Sequence, residues 1–341
     1  MKKSYVSLLL GVTLLCSAVL AGCGSSGAAP KSNAGGNNSG AAKAGKYPEK
    51  AVQLVVPWAP GGGSDLSGRI LSKYVTESLG QQLVVSNVEG ASGKTGQLDV
   101  MQAQPDGYKL LWEHQCLHMA LATGRSDFGW DAYVPIICPI EAVSIMVAGK
   151  DMPFNDAQGL ISYAKENPGK INFGVADLTT SHFAFLSFIG NSDSETTDYN
   201  LVSMGGDTSR ITAILQKTMD VTTVTLSSAL PYIESGDLKV IGIMSEERLD
   251  TYADYPTLKE QGIDAINKFN YVVYVPKGTP ENIVNYLTEV FRKTAENPDF
   301  QKEVLENNFV PVNITGDALT DMLKADSEVI QNLATEYSLV K

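Results

Sequence analysis

The chain has few of the side chains on which enzymes usually depend. Among its 341 residues are three histidines and four cysteines, so acid–base or metal chemistry could draw only on His114, His118 and His182. No Gly-x-Ser-x-Gly elbow occurs, which leaves serine hydrolysis without support. A basic excess is missing too: 26 Lys and Arg stand against 38 Asp and Glu, a net charge of −12. That balance argues against nucleic acid and against an anionic membrane surface as partners. Beyond the first twenty residues there is no apolar run long enough to span a bilayer.

What is present begins with a leader. Lys2 and Lys3 precede an apolar stretch over 6–20, and Leu20-Ala21-Gly22-Cys23 resembles a bacterial lipobox. Residues 1–22 therefore read as a lipoprotein signal peptide, with Cys23 the lipidated first residue of the mature chain and the protein anchored on the extracytoplasmic face of the membrane. Cleavage removes two lysines and no acid, leaving 24 basic against 38 acidic side chains, or −14. Residues 23–46 are rich in Gly, Ser, Ala and Asn, a lipidated flexible tether with a reach of roughly 25–30 Å. Of the cysteines, Cys16 leaves with the leader and only Cys116 and Cys138 remain in the body, where buried free thiols are the simpler expectation.

From Tyr47 onward, short apolar runs alternate with helical patterns. Strands are expected over 53–57, 82–86, 109–113, 171–175, 221–226, 239–244 and 271–275, with helices over 65–78, 96–103, 156–166, 208–217, 298–306 and 317–336. Asn155, Asp207 and Thr279 read as N-caps, with Pro280 in the first helical position after Thr279. Such alternation predicts an α/β protein with parallel sheets and crossover helices, in a body long enough for two lobes.

Three strand-to-helix turns carry candidate chemistry. In Trp58-Ala59-Pro60-Gly61-Gly62-Gly63-Ser64-Asp65, glycines let backbone N–H groups converge at a helix start, a setting that favours an anion. Asp65, four residues before Arg69, reads better as the organiser of this loop than as a ligand contact. Thr179-Thr180-Ser181 before His182 and Gly205-Gly206-Asp207-Thr208 repeat the arrangement. Residues 87–96, Asn-Val-Glu-Gly-Ala-Ser-Gly-Lys-Thr-Gly, imitate a phosphate-binding loop, but Val88 stands where that loop needs its first glycine. A tight strand-to-helix turn is the better reading. His114, Cys116 and His118 alternate, as a metal site on an extended chain would require, yet packing is the more economical account and no metal is assigned.

The chain resembles the extracytoplasmic solute receptors of tripartite tricarboxylate transporters over the whole body. The likeness is carried by Tyr47-Pro48-Glu49-Lys50, Val55-Val56-Pro57-Trp58, Pro60-Gly61-Gly62-x-x-Asp65, Asn87-x-x-Gly90-Ala91-x-Gly93-x-x-Gly96, Pro105-Asp106-Gly107-Tyr108, Ser181-His182, Ala229-Leu230-Pro231 and Pro276-Lys277-Gly278-Thr279-Pro280, in order. The resemblance implies a two-lobed type II periplasmic-binding-protein-like fold with a ligand cleft between lobes. Residues 47–143 and 271–341 would form one lobe and 144–270 the other. It also implies that a small carboxylate is held by Gly61, Gly62, Gly63, Ser64 and Asp65 and, opposite them, by Thr179, Thr180 and Ser181. Gly206, Asp207, Thr208, Thr225 and Ser227 would complete the pocket, with Trp58 and Pro60 at its wall. Departures from the family pattern at Glu113, Met204 and Val224-Thr225 leave open a tricarboxylate, a dicarboxylate, an aromatic acid or an amino acid, with Glu113 and His118 as candidate contacts.

The function so implied is a monomeric, lipid-anchored receptor, without cofactor or catalysis, that delivers its ligand to membrane permease subunits. A sensory partner of a membrane receptor is the alternative, and an extracellular metal-dependent enzyme a weaker one.

Overall fold

The computed structural model describes residues 47–249 and 252–340; the expected leader, Cys23 and the tether lie outside them. The elements in chain order are β1 (Val52–Val56), α1 (Gly63–Leu79), β2 (Leu83–Asn87), α2 (Lys94–Met101), β3 (Lys109–Glu113), α3 (Cys116–Ala122) and β4 (Tyr133–Gly149). There follow α4 (Ala157–Glu166), β5 (Ile171–Val175), α5 (Thr180–Gly190), β6 (Tyr199–Ser203), α6 (Asp207–Leu215), β7 (Val221–Thr225), α7 (Leu226–Glu234) and β8 (Leu238–Ile243). The chain closes with β9 (Lys268–Pro276), α8 (Glu281–Ala295), α9 (Pro298–Glu306), β10 (Val310–Ile314) and α10 (Gly316–Glu336).

The strands run in the order β2-β1-β3-β9-β4-β7-β5-β6, with β8 and β10 also paired to β4. The β1–β2, β1–β3, β5–β6 and β5–β7 pairs are parallel, as the alternating pattern requires. β4 spans both halves of this sheet. From Tyr133 to Val143 it pairs antiparallel with β9, and from Ser144 onward with β7 and β8. One half rests on a core that includes Leu54, Leu71, Trp112, Val273 and Phe291, the other on one that includes Phe173, Phe185, Phe188 and Ile241.

Sequence pattern did not anticipate β4. Pro135 and Pro139 break its reading as a strand, because proline removes a ladder donor. The structure accommodates them by register shifts between Pro135 and Ile137 and between Ile137 and Ile140. Several expected caps also move by one residue. Asp156, not Asn155, caps α4 by accepting the Gly159 N–H at 2.7 Å. Gly206 rather than Asp207 caps α6, and Pro280 rather than Thr279 precedes α8.

The turn from β2 to α2 is held by a close approach of backbone. A Cβ at Gly96 would lie 2.7 Å from the Val88 carbonyl oxygen and 2.8 Å from Pro57 Cβ, neither of which can withdraw. Gly96→Ala is therefore expected to lower stability by about 1–3 kcal/mol, read as a fall in the denaturant midpoint with the slope unchanged.

Candidate functional site

The first turn of a helix leaves N–H groups without an acceptor in their own helix. Three such turns meet here. The starts of α1, α5 and α6, each after the carboxyl end of a strand, line one cavity of about 620 Å³, within the range of small-molecule sites. Gly62, Gly63 and Ser64 form one edge, Thr179, Thr180 and Ser181 another, and Gly205 to Arg210 a third. The remaining wall is aromatic. Trp58 stacks on His114 with ring centres 5.4 Å apart, and His114 meets Phe269 edge-on at 5.1 Å and Tyr271 at 5.6 Å.

Side chains near these turns mostly bind the protein itself. Asp65, only 4% exposed, accepts from the Gly61 N–H at 2.9 Å, from Arg69 at 2.9 Å and from the Asn87 amide at 3.0 Å. Those donors hold its carboxylate below the ordinary range despite burial, which acts in the opposite direction. Ser181 Oγ accepts from the Ala176 N–H, and Thr179 Oγ1 donates to the Ala176 carbonyl, both at 2.8 Å. Asp207 turns inward to accept from the Thr225 N–H and hydroxyl at 2.9 and 2.8 Å and to pair with Arg210 at 2.6 Å. Arg210 also donates to Thr222 Oγ1 and to the carbonyls of Met204 and Thr223. The cation on this rim is thus paired with Asp207 and spends four of its five N–H groups within the protein, and what the rim offers an anion is chiefly backbone N–H.

Of the residues expected from sequence, Trp58, Pro60, Gly62, Gly63, Ser64, Thr179, Thr180, Ser181, Gly206, Asp207, Thr208 and Thr225 line the cavity. Gly61, Asp65, Glu113, His118 and Ser227 do not. Gly61 and Asp65 brace the first loop, and Ser227 Oγ donates to Thr225 Oγ1 at 3.3 Å. His118 is buried on α3, because residues 116–122 are helical rather than extended and their alternation does not place three ligands on one side. Among the described residues no cluster of His, Cys, Asp and Glu is arranged to hold a metal. Cys116 and Cys138 are buried free thiols. Sequence reasoning missed Phe269, Tyr271 and Cys116 at the wall; the spacing Phe269-x-Tyr271 on an apolar strand was the available signal for the first two.

Glu113 lies just behind that wall, at the end of β3, with no solvent exposure. Its Oε1 accepts from Trp58 Nε1 at 3.1 Å and the His114 N–H at 2.9 Å, and its Oε2 from Gln97 Nε2 at 2.9 Å. Burial pushes its pKa up to about 7 even though all three donors favour the charged form. His114 Nε2 approaches Oε1 at 3.6 Å, but burial drives this imidazole down to about 3, so the contact is not an ion pair at neutral pH.

The chain matches the family model for the tripartite tricarboxylate transporter family receptor over residues 68–338, and it belongs to that family. A UPF0065 protein of Bordetella pertussis strain Tohama I is 28% identical, the match covering 86% of this chain and 93% of the relative. The solved periplasmic binding protein BugD is 26% identical, with a TM-score of 0.78, over 86% of this chain and all of BugD. Rpa4515 of R. palustris, solved with adipate, is 23% identical with a TM-score of 0.77 over 85% of this chain and 97% of its own, a likeness of fold. The fold is the mixed α/β fold of periplasmic binding proteins, and the family is one of solute-binding receptors rather than enzymes. No helix among the described residues is long and apolar enough to cross a membrane.

Ionisation of Glu113 should be visible in stability. Its folded-state pKa lies above the unfolded value near 4.5, so the native form holds the proton longer and the contribution is lost as pH rises through about 7. Relative to wild type, Glu113→Gln should gain up to about 3 kcal/mol between pH 5 and pH 8, measured by urea unfolding of both proteins across that range. A constant difference would place the ionisation elsewhere.

Proposed function

We propose that the protein is a lipid-anchored receptor that captures a small carboxylate between two lobes and delivers it to the membrane subunits of a tripartite transporter. The observation that carries this reading is the convergence of three helix starts on one cavity that lacks a free cation among its described lining residues. Backbone donors at helix starts stabilise a carboxylate without the desolvation cost of a buried lysine or arginine. The two sheet halves joined by β4 would act as the lobes, with residues 47–143 and 271–341 in one and 144–270 in the other. Closure then follows from differential affinity, since ligand bridging both halves favours the closed form. Gly62 to Ser64 and Thr179 to Ser181 would hold the carboxylate, with Gly206 and Thr208 at the third edge and the aromatic wall receiving the rest of the ligand. The adipate bound to Rpa4515 supports a carboxylate ligand here, without fixing which one. Family membership supports the transporter partner.

A thermal-shift screen of the purified protein against adipate, malate, benzoate, amino acids and amines tests the ligand class. A carboxylate at one hundred times its dissociation constant should raise the melting temperature by roughly 4–5 °C. A shift with amines alone would overturn the anion reading. The anchor is tested by expressing the complete chain in a bacterial host supplied with a labelled fatty acid: the wild-type protein should take up the label and Cys23→Ala should not, and an unlabelled wild-type protein would exclude lipidation at Cys23.

A further inference from the structure

Behind the cavity wall, the Glu113 carboxyl has donors on both oxygens but no cation among the described residues facing it. From α2 comes the neutral Gln97 amide, while Lys94 on the same helix is directed to the Arg125 carbonyl at 2.9 Å. From the α3 segment come His114, Cys116 and His118, from β4 Tyr133, and from β9 Tyr271 and Tyr274. Burial lowers both imidazoles, to about 3 and about 4, and raises the thiol and the three phenols, so all are neutral between pH 6 and 8. Arg125 acts on Cys116 rather than on Glu113, and it donates to the Leu178 carbonyl.

The carboxyl is also close to whatever occupies the cavity. A Cβ on Gly93, a lining residue, would be 3.2 Å from Trp58 and 3.4 Å from Glu113 Oε2. One layer of indole and backbone therefore separates Glu113 from the site. Gln97 adds a second observation. Its Oε1 is buried and has no hydrogen-bond partner among the described residues, although its Nε2 serves Glu113. Rotating that amide would bring Oε1 to the position where a protonated Glu113 donates, so the pair can serve either charge state.

We propose that Glu113 couples ligand capture to a proton: the cavity holds a carboxylate tightly when Glu113 is protonated and loses it as Glu113 ionises. The inference rests on the carboxylate reading of the cavity. Two anions separated by one residue layer in a poorly hydrated wall repel each other, and no neighbouring cation offsets the repulsion. A bound carboxylate raises the proton affinity of Glu113, and by linkage a proton on Glu113 raises the affinity for the carboxylate. The sign is fixed: affinity is highest below the proton affinity range of free Glu113 and falls as pH rises through it. Glu113 acts through Trp58, Gly93 and the field in the cavity; it is a positioning residue and makes no contact with ligand.

Isothermal titration of the purified full-length protein tests this, with adipate, malate and benzoate as probes and the tightest binder carried forward. Measurements run from pH 6.5 to pH 9, above the range in which the probes themselves titrate. The dissociation constant of wild type should rise roughly ten- to thirtyfold over that range. In buffers of different ionisation enthalpy, binding at pH 7 should take up about half a proton. Glu113→Gln should bind with a pH-independent constant and no uptake. His182, next to Ser181, accepts the Leu178 N–H at 3.2 Å and is held by burial below the ordinary imidazole range, so His182→Gln should retain both the pH dependence and the uptake. A flat wild-type profile, or uptake that persists in Glu113→Gln, overturns the proposal while leaving the carboxylate receptor intact. Should Glu113→Gln fail to fold, absence of proton uptake by wild type still overturns it. If none of the three probes binds at pH 6.5 and neither a tricarboxylate nor an amino acid does, the carboxylate reading falls and this inference with it.

Discussion

Unsatisfied N–H groups at the starts of α1, α5 and α6 are the constraint on which the site depends. A helix cannot bond its own first donors, so they need a side chain, water or a ligand. Here the side chains that could cap them are directed elsewhere: Asp65 to the loop and Arg69, Ser181 and Thr179 to residue 176, Asp207 to Thr225 and Arg210. Parallel pairing of β1, β2 and β3 on one side and of β5, β6 and β7 on the other brings strand ends and helix starts to the same edge of the sheet. β4 then determines how the two halves meet, because it is the strand both of them share.

Much of this was legible where local chemistry decides the structure. β3, β5 and α9 fall on the expected residues, since short apolar runs and an Asn-Pro start leave few alternatives. The glycine loop and the hydroxyl run were visible as candidate edges for the same reason. What could not be read depends on partners far along the chain. β4 needs its register shifts to tolerate two prolines, and those shifts are set by β9, over a hundred residues later. Phe269 and Tyr271 reach the cavity only because β9 lies between β3 and β4. The caps at Gly206 and Pro280 were displaced because Asp207 bonds to Thr225 across the fold and Thr279 donates back to the Pro276 carbonyl, and both outweigh the local capping preference.

Glu113 shows how the binding wall and its stability are linked. An uncharged residue would be easier to bury, and three N–H donors reduce the cost of ionisation without removing it. By donating to Glu113 Oε1 the Trp58 indole is itself held in place, stacked on His114 at the cavity wall. A residue that looked from sequence like a direct ligand contact lies behind the lining of the cavity, where its carboxyl accepts from the Trp58 indole.

The proposed function rests on backbone N–H groups from three strand-end turns being available to an anion. Amide proton chemical shifts recorded on adding a carboxylate test it most directly. The largest shifts are expected at residues 62–64, 179–181 and 206–209, together in one titration. Shifts confined to the outer face of α6, around Thr212 and Gln216, or spread over the surface without saturating, would contradict it.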